Sequence, residues 1–147
     1  MFNSTLHDET TFYSAFIRDL EGCREEVYIE SPYITERRAQ QLIPIFNNLL
    51  SKGVKIYVMT RDPREHEENM EYQSEDAISS FERMGVQVFL CIGNHHRKLA
   101  ILDRKILWEG SLNILSQNHS REIMRRINDK YLTLDMFTFL KLGRFIM

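Results

Sequence analysis

The stretch His96-Arg-Lys-Leu-Ala-Ile-Leu-Asp103-Arg-Lys-Ile-Leu-Trp-Glu-Gly110-Ser-Leu-Asn113 decides how this chain is read. Side chains alternate faces along a strand, so His96, Lys98, Ala100 and Leu102 share one face and Leu99 and Ile101 the other. Asp103-Arg104-Lys105-Ile106 has the composition of a tight turn, with Asp first, where its carboxylate bonds the turn backbone. With Arg104 and Lys105 as the turn residues, the returning strand sets Ser111 across from Lys98 and Asn113 across from His96. Paired strands lie about 4.8 Å apart. An imidazole, an ammonium, a hydroxyl and an amide then gather within reach of one phosphate. A hairpin whose polar face is merely solvated needs no Gly-Ser-x-Asn segment behind it.

The offsets of His96, Lys98, Asp103, Gly110, Ser111 and Asn113 resemble the signature of the phospholipase D superfamily, enzymes that cleave phosphodiesters. The resemblance implies hydrolysis in two steps, with no cofactor. His96 attacks phosphorus and forms a phosphohistidine, which water then releases; a neutral imidazole is nucleophilic near neutral pH without a metal. A second histidine protonates the leaving oxygen. Family members take it from a second copy of the motif, whereas this sequence has one copy, so a homodimer is expected to join two. Lys98 and Asn113 are expected to bind the non-bridging oxygens as charge builds in the transition state. Ser111 donates there or holds a neighbour. Asp103, of opposite parity to His96, is expected to pin the turn. Glu122 loosely matches the family's acid or amide that fixes the nucleophile's tautomer; the plainer reading is a solvated acid paired with Arg125 or Arg126.

Other residues near the motif are weighed the same way. Arg97, Arg104, Lys105 and Arg121, with Arg125, Arg126, Arg61 and Arg64, form a candidate phosphate-tracking groove. Glu65, Glu67, Glu68 and Glu71 crowd the loop that holds Arg61 and Arg64, which favours an ordinary mixed-charge surface there. His95, His119 and Cys91 could join His96 in a zinc site, but their spacing matches no metal pattern. His95 reads as a neighbour facing away from the site, and His66 and His7 as exposed.

Bulk properties narrow the partners. The 147 residues suit one domain with a real core, and 43% hydrophobic content argues against disorder. A net charge of −2 is not that of a nonspecific nucleic-acid coater, so phosphate binding has to come from local patches. Cys23 and Cys91 cannot make a disulfide framework; they suggest a reducing compartment and read as small core residues. The first residues show no signal-peptide pattern and no apolar run approaches the ~20 residues of a membrane span, so the expected address is the cytoplasm.

Outward from the hairpin, the pattern predicts helices over residues 8–22, 36–52 and 72–84. Asp8 and Thr35 are candidate caps, and Gly53 and Gly85 candidate terminators. Strands are predicted over 26–30, 54–59 and 86–91, with a charged loop over 60–71. Lys52-Gly53-Val54-Lys55-Ile56 and Met84-Gly85-Val86-Gln87-Val88 echo one another as helix end, glycine and strand. Successive helix–strand units imply parallel strands with right-handed crossovers. The expected fold is therefore α/β, a mixed and mostly parallel sheet flanked by helices, phospholipase D-like, over residues 1–147. Residues 114–117 read as a loop or short helix, 118–122 as a polar segment near the site, and 122–127 as either strand or helix. The apolar tail, 132–147, with Leu134, Phe137 and Leu140 at helical spacing, is expected to cover the core or a partner subunit.

Two other functions compete with a homodimeric nuclease acting on DNA or RNA. One is a lipid-acting phospholipase D or phosphatidyltransferase, which would want an apolar entrance. The other is a non-catalytic nucleic-acid-binding module acting beside a helicase or restriction system. An intact His96, Lys98 and Asn113 argue against the latter, since binding alone needs no nucleophile.

Overall fold

A computed structural model describes residues 3–116 and 119–146. Gln117 and Asn118, which fall at the junction of two predicted segments, lie outside the described residues, as does Met147 of the tail. The chain runs β1 (Asn3–Asp8), α1 (Phe12–Glu21), β2 (Glu26–Glu30), α2 (Glu36–Ser51), β3 (Lys55–Arg61), α3 (Glu68–Met84), β4 (Gln87–Cys91), β5 (Leu99–Leu102), β6 (Ile106–Gly110), β7 (Ile123–Asn128) and α4 (Lys130–Phe139). The strands form one sheet in the order β1-β7-β6-β5-β2-β3-β4. β2, β3 and β4 are parallel, as the two helix–strand units require. β5 is antiparallel to β2, and β6, β7 and β1 continue antiparallel, so parallel pairs are the minority of this mixed sheet.

Alternation along the strands builds a core on each face. Val27, Ile29, Ala100 and Leu102 face α1, α2 and α3, while Tyr28, Leu99, Ile101 and Leu107 face α4 and the last turn of the chain. Thr35 caps α2, its hydroxyl accepting from the Arg38 amide at 3.4 Å. Gly85 ends α3 in the left-handed conformation at φ 113°. Asp8 does not cap α1: it closes β1, and its carboxylate holds the amides of Thr10 and Thr11 in the turn that follows. β1 is too polar to read as a strand from sequence. It earns its place by pairing along the whole of β7, from Asn3 opposite Asn128 to Asp8 opposite Ile123. That pairing also resolves the segment predicted over 122–127 as strand, running from Ile123 to Asn128. Cys23 is buried as expected, whereas Cys91 is half-buried. Burial, then the neighbouring charges of Asp103 and Asp19, push the Cys23 thiol up to about 12. No helix among the described residues is long and apolar enough to cross a membrane.

The central hairpin differs from expectation by one residue of register. Ala100 stands opposite Trp108 and Leu99 opposite Glu109, so Lys98 faces Gly110, whose amide donates to the Lys98 carbonyl at 3.4 Å. The loop holds three residues, Asp103, Arg104 and Lys105, the first two with positive φ of 53° and 54°. Asp103 leaves the strand because its carboxylate is engaged elsewhere. It accepts the amides of Arg24 (2.9 Å), Glu25 (2.9 Å) and Glu26 (3.0 Å) at the entrance to β2. The motif aspartate, expected to pin its own turn, clamps a distant segment instead.

Candidate active site

The parallel strands β2, β3 and β4 all end at one edge of the sheet. β5 begins there and β6 finishes there, because both ladders are antiparallel. In open α/β sheets ligands bind beyond the carboxyl ends of the parallel strands, and the motif lies at that edge. His96 is exposed in the segment between β4 and β5, and its carbonyl accepts from Lys98 Nζ at 2.6 Å. Lys98, Gly110 and Ser111 line a groove of about 640 Å³ together with Arg97, Arg125 and the apolar Leu6, Ile123 and Phe139.

Ser111 is bonded to a neighbour through both its hydroxyl and its backbone. Its hydroxyl accepts from the Ile123 amide at 3.0 Å, and its own amide donates to the Ile123 carbonyl at 2.9 Å. Glu122, next in line before Ile123, donates its amide to the Glu9 carboxylate at 2.8 Å. The plainer reading of Glu122 loses its partners: Arg126 pairs with Asp19 at 2.7 Å, and Arg125 donates to Ser4 at 2.6 Å. Among the described residues no hydrogen bond joins Glu122 to His96. Asn113 lies in the turn after β6. That turn is seated by Ser31, which accepts from the Leu115 amide at 3.1 Å, by Thr35, and by the Tyr13 hydroxyl, which donates to the Ile114 carbonyl. The Asn113 Oδ1 atom is buried without a hydrogen-bond partner.

The basic set divides. Arg104 and Lys105 sit in the hairpin loop at the opposite end of β5 and cannot share a groove with His96. Arg104 is engaged with Glu26 and lies over the Phe137 ring at 4.4 Å. Arg97 is turned onto Glu30, through Nε at 2.8 Å and Nη2 at 3.1 Å. Arg61 is engaged by Glu65 at 2.8 Å and Asn94 at 2.7 Å, and Arg64 by Asp62. Arg121 stays exposed just before β7.

Two histidines depart from expectation, and a third is enclosed. His95 has a side chain only 7% exposed, with Nε2 2.9 Å from Glu30 Oε1. His66 and His7 are half-buried, the first against Tyr33 and the second against Trp108. Sequence reading passed over Glu30 itself. It is fully buried at the end of a strand that is buried throughout, and Tyr28 donates to it at 2.6 Å. Burial pushes its carboxyl up, but the bonds from His95 and Tyr28 and the Arg97 charge outweigh that and hold it below its ordinary value. Its signal was available, since an acid closing a strand otherwise destined for the interior needs donors.

Residues 16–138 match the family model described as cardiolipin synthase, phospholipase D-like domain. The chain belongs to the phospholipase D superfamily. Its fold is similar to that of NucT from Helicobacter pylori, with a TM-score of 0.72 and 19% identity over 96% of this chain and 94% of that one. It is similar too to Nuc, a phospholipase D family member from Salmonella typhimurium, with a TM-score of 0.78 and 13% identity over 96% and 93% of the two chains. Phosphatidylserine synthase from Haemophilus influenzae aligns with a TM-score of 0.64 and 13% identity, over 97% of this chain and 38% of that chain. No curated protein matches the chain in sequence.

Proposed function

We propose that this chain is a metal-independent phosphodiesterase acting on nucleic acid, DNA or RNA, through a phosphohistidine at His96. The observation that carries the reading is the exposed His96 beside Lys98, at the sheet edge where Ser111 and Asn113 also lie. His96 attacks phosphorus, forming a P–N bond as the bond to the leaving oxygen breaks. The His96 of a second copy protonates that oxygen, then takes the proton back from the water that hydrolyses the phosphohistidine. Lys98 and Asn113 hold the non-bridging oxygens. Ser111 acts at one remove, fixing the start of β7, and Glu122 orients the imidazole. The reading places the enzyme in the cytoplasm as a homodimer and invokes no helicase or restriction partner.

A second reading is hydrolysis or transfer of a phosphatidyl group. Leu6 and Ile123, each 63% exposed, and Phe139, 80% exposed, line a groove with Lys98 and Ser111, though not with His96 or Asn113. An assay in chelator against single-stranded DNA, duplex DNA, RNA and phosphatidyl lipid vesicles separates the two. The expected result is nucleic-acid cleavage that survives chelation and disappears in His96→Ala. Lys98→Ala and Asn113→Ala are each expected to lose on the order of 10²-fold or more in rate while remaining folded. Activity that vanishes with chelator and returns with magnesium overturns the mechanism, and turnover confined to vesicles replaces the substrate class.

A further inference from the structure

We propose that Glu30 is a positioning residue for His96, its carboxylate gripping the residues on both sides of that imidazole. The proposal rests on the reading of His96 as nucleophile. Residues 92–98 belong to no helix or strand, so nothing periodic fixes the backbone from which His96 projects. The segment is tied down at two places instead. Upstream, the Glu65 carboxylate accepts the amides of Gly93 at 2.8 Å and Asn94 at 3.3 Å, where the chain turns through positive φ. Downstream, Glu30 reaches His95 at 2.9 Å and Arg97 at 2.8 and 3.1 Å. Two residues two apart reach one carboxylate when the chain between them is extended, and alternation then sends the middle side chain the other way. Holding His95 and Arg97 therefore both places His96 and turns it away from the clamp.

The anchor is rigid. Glu30 ends β2, which is hydrogen-bonded on both sides, opposite Met59 of β3 and Leu99 of β5. A fully buried carboxylate is costly unless its lone pairs are filled. Tyr28 of its own strand and Arg97 donate to Glu30, and His95 Nε2 approaches it at 2.9 Å. An apolar residue would complete β2 as well, so packing alone does not account for an acid there.

Turnover of the proposed nucleic-acid substrate and nitrogen-15 relaxation of the amides of residues 94–98 are compared in wild type, Glu30→Gln and Arg97→Met. Asp19→Asn serves as the control for lost stability, since that carboxylate serves Trp108 and Arg126 instead. Glu30→Gln and Arg97→Met are each expected to lower kcat between about 10- and 100-fold, with KM within about twofold and the amides loosened. Asp19→Asn should change neither readout. Should Glu30→Gln fail to fold, Arg97→Met, whose side chain is half exposed, carries both measurements. A Glu30→Gln protein with wild-type kcat and relaxation overturns the proposal. So does an Arg97→Met protein whose KM rises at constant kcat, which makes Arg97 a phosphate ligand. If wild type cleaves nothing on the panel, the functional reading fails on its own; relaxation still decides the clamp, loosened amides supporting it and unchanged amides overturning it.

Discussion

At the scale of single residues, the motif mixes chemistry with architecture. Gly110 is required for space: a Cβ there would meet the Ile123 carbonyl oxygen at 2.1 Å and the Met124 Sδ at 2.8 Å. Backbone cannot yield as a flexible side chain can, so Gly110→Ala should lose several kcal/mol, of order the ~1–3 kcal/mol typical of overpacking or more. Thermal denaturation reads this, and a wild-type melting temperature would show that β6 and β7 part easily. Asp103→Ala removes the acceptor of three backbone amides, and the expected cost is about 2 kcal/mol. Activity per folded molecule should stay near wild type; a folded Asp103→Ala protein without turnover would move this residue into the chemistry. Glu30 adds a pH dependence. Its folded carboxyl lies below the ordinary 4.5, so it contributes stability that is complete above 4.5 and is lost as pH falls through the folded value. Chemical denaturation should show wild type losing more stability than Glu30→Gln as pH drops below 4.5. Parallel curves for the two proteins would count against a depressed Glu30.

At the scale of elements, α2 carries an avoidable cost. Pro44 lies inside this helix and is exposed, so its ring removes a helical hydrogen bond and crowds the preceding turn with no packing in return. Pro44→Ala is expected to stabilise by about 1–3 kcal/mol, after allowing for the freer unfolded chain. Equilibrium denaturation checks it, and a loss of stability would mean that α2 needs the kink. The same elements show what the sequence made legible. α2 and α3 follow from periodicity and glycine stops, because each buries one clear face, and β2 and β3 follow as short apolar runs covered on both faces of the sheet. β1 was illegible because Asn-Ser-Thr-Leu-His-Asp has no apolar alternation; its pairing with β7 is a tertiary fact. The hairpin was legible in kind but not in register, since the Asp103 carboxylate is drawn to residues 24–26, some eighty positions earlier in sequence. Arg104 and Lys105 were assigned to the site by nearness in sequence, which a hairpin defeats by sending its turn to the far end of the sheet. His96, Lys98, Ser111 and Asn113 still fall at one edge of the sheet, because fixed offsets at a strand end survive a one-residue slip as neighbours.

At the scale of the whole molecule, one chain offers one His96, while the proposed reaction uses a nucleophile and an acid at the same phosphate. His95 cannot stand in as the acid, because its side chain is enclosed against Glu30. His66 and His7 pack against Tyr33 and Trp108, and His119 is exposed in the segment before β7. In the proposed dimer, a second copy related by a two-fold axis would supply the missing imidazole without a new residue type. A dimer with a single His96 then lacks one role and should be nearly inactive. When equal amounts of wild-type and His96→Ala chains exchange subunits at random, about a quarter of the dimers carry both imidazoles. A shared site therefore predicts about a quarter of the activity of the same number of wild-type dimers, whereas a complete site in each chain predicts about half. Turnover near half, or full activity from a protein that sediments as a monomer, would exclude the shared site and require the acid to come from within the chain.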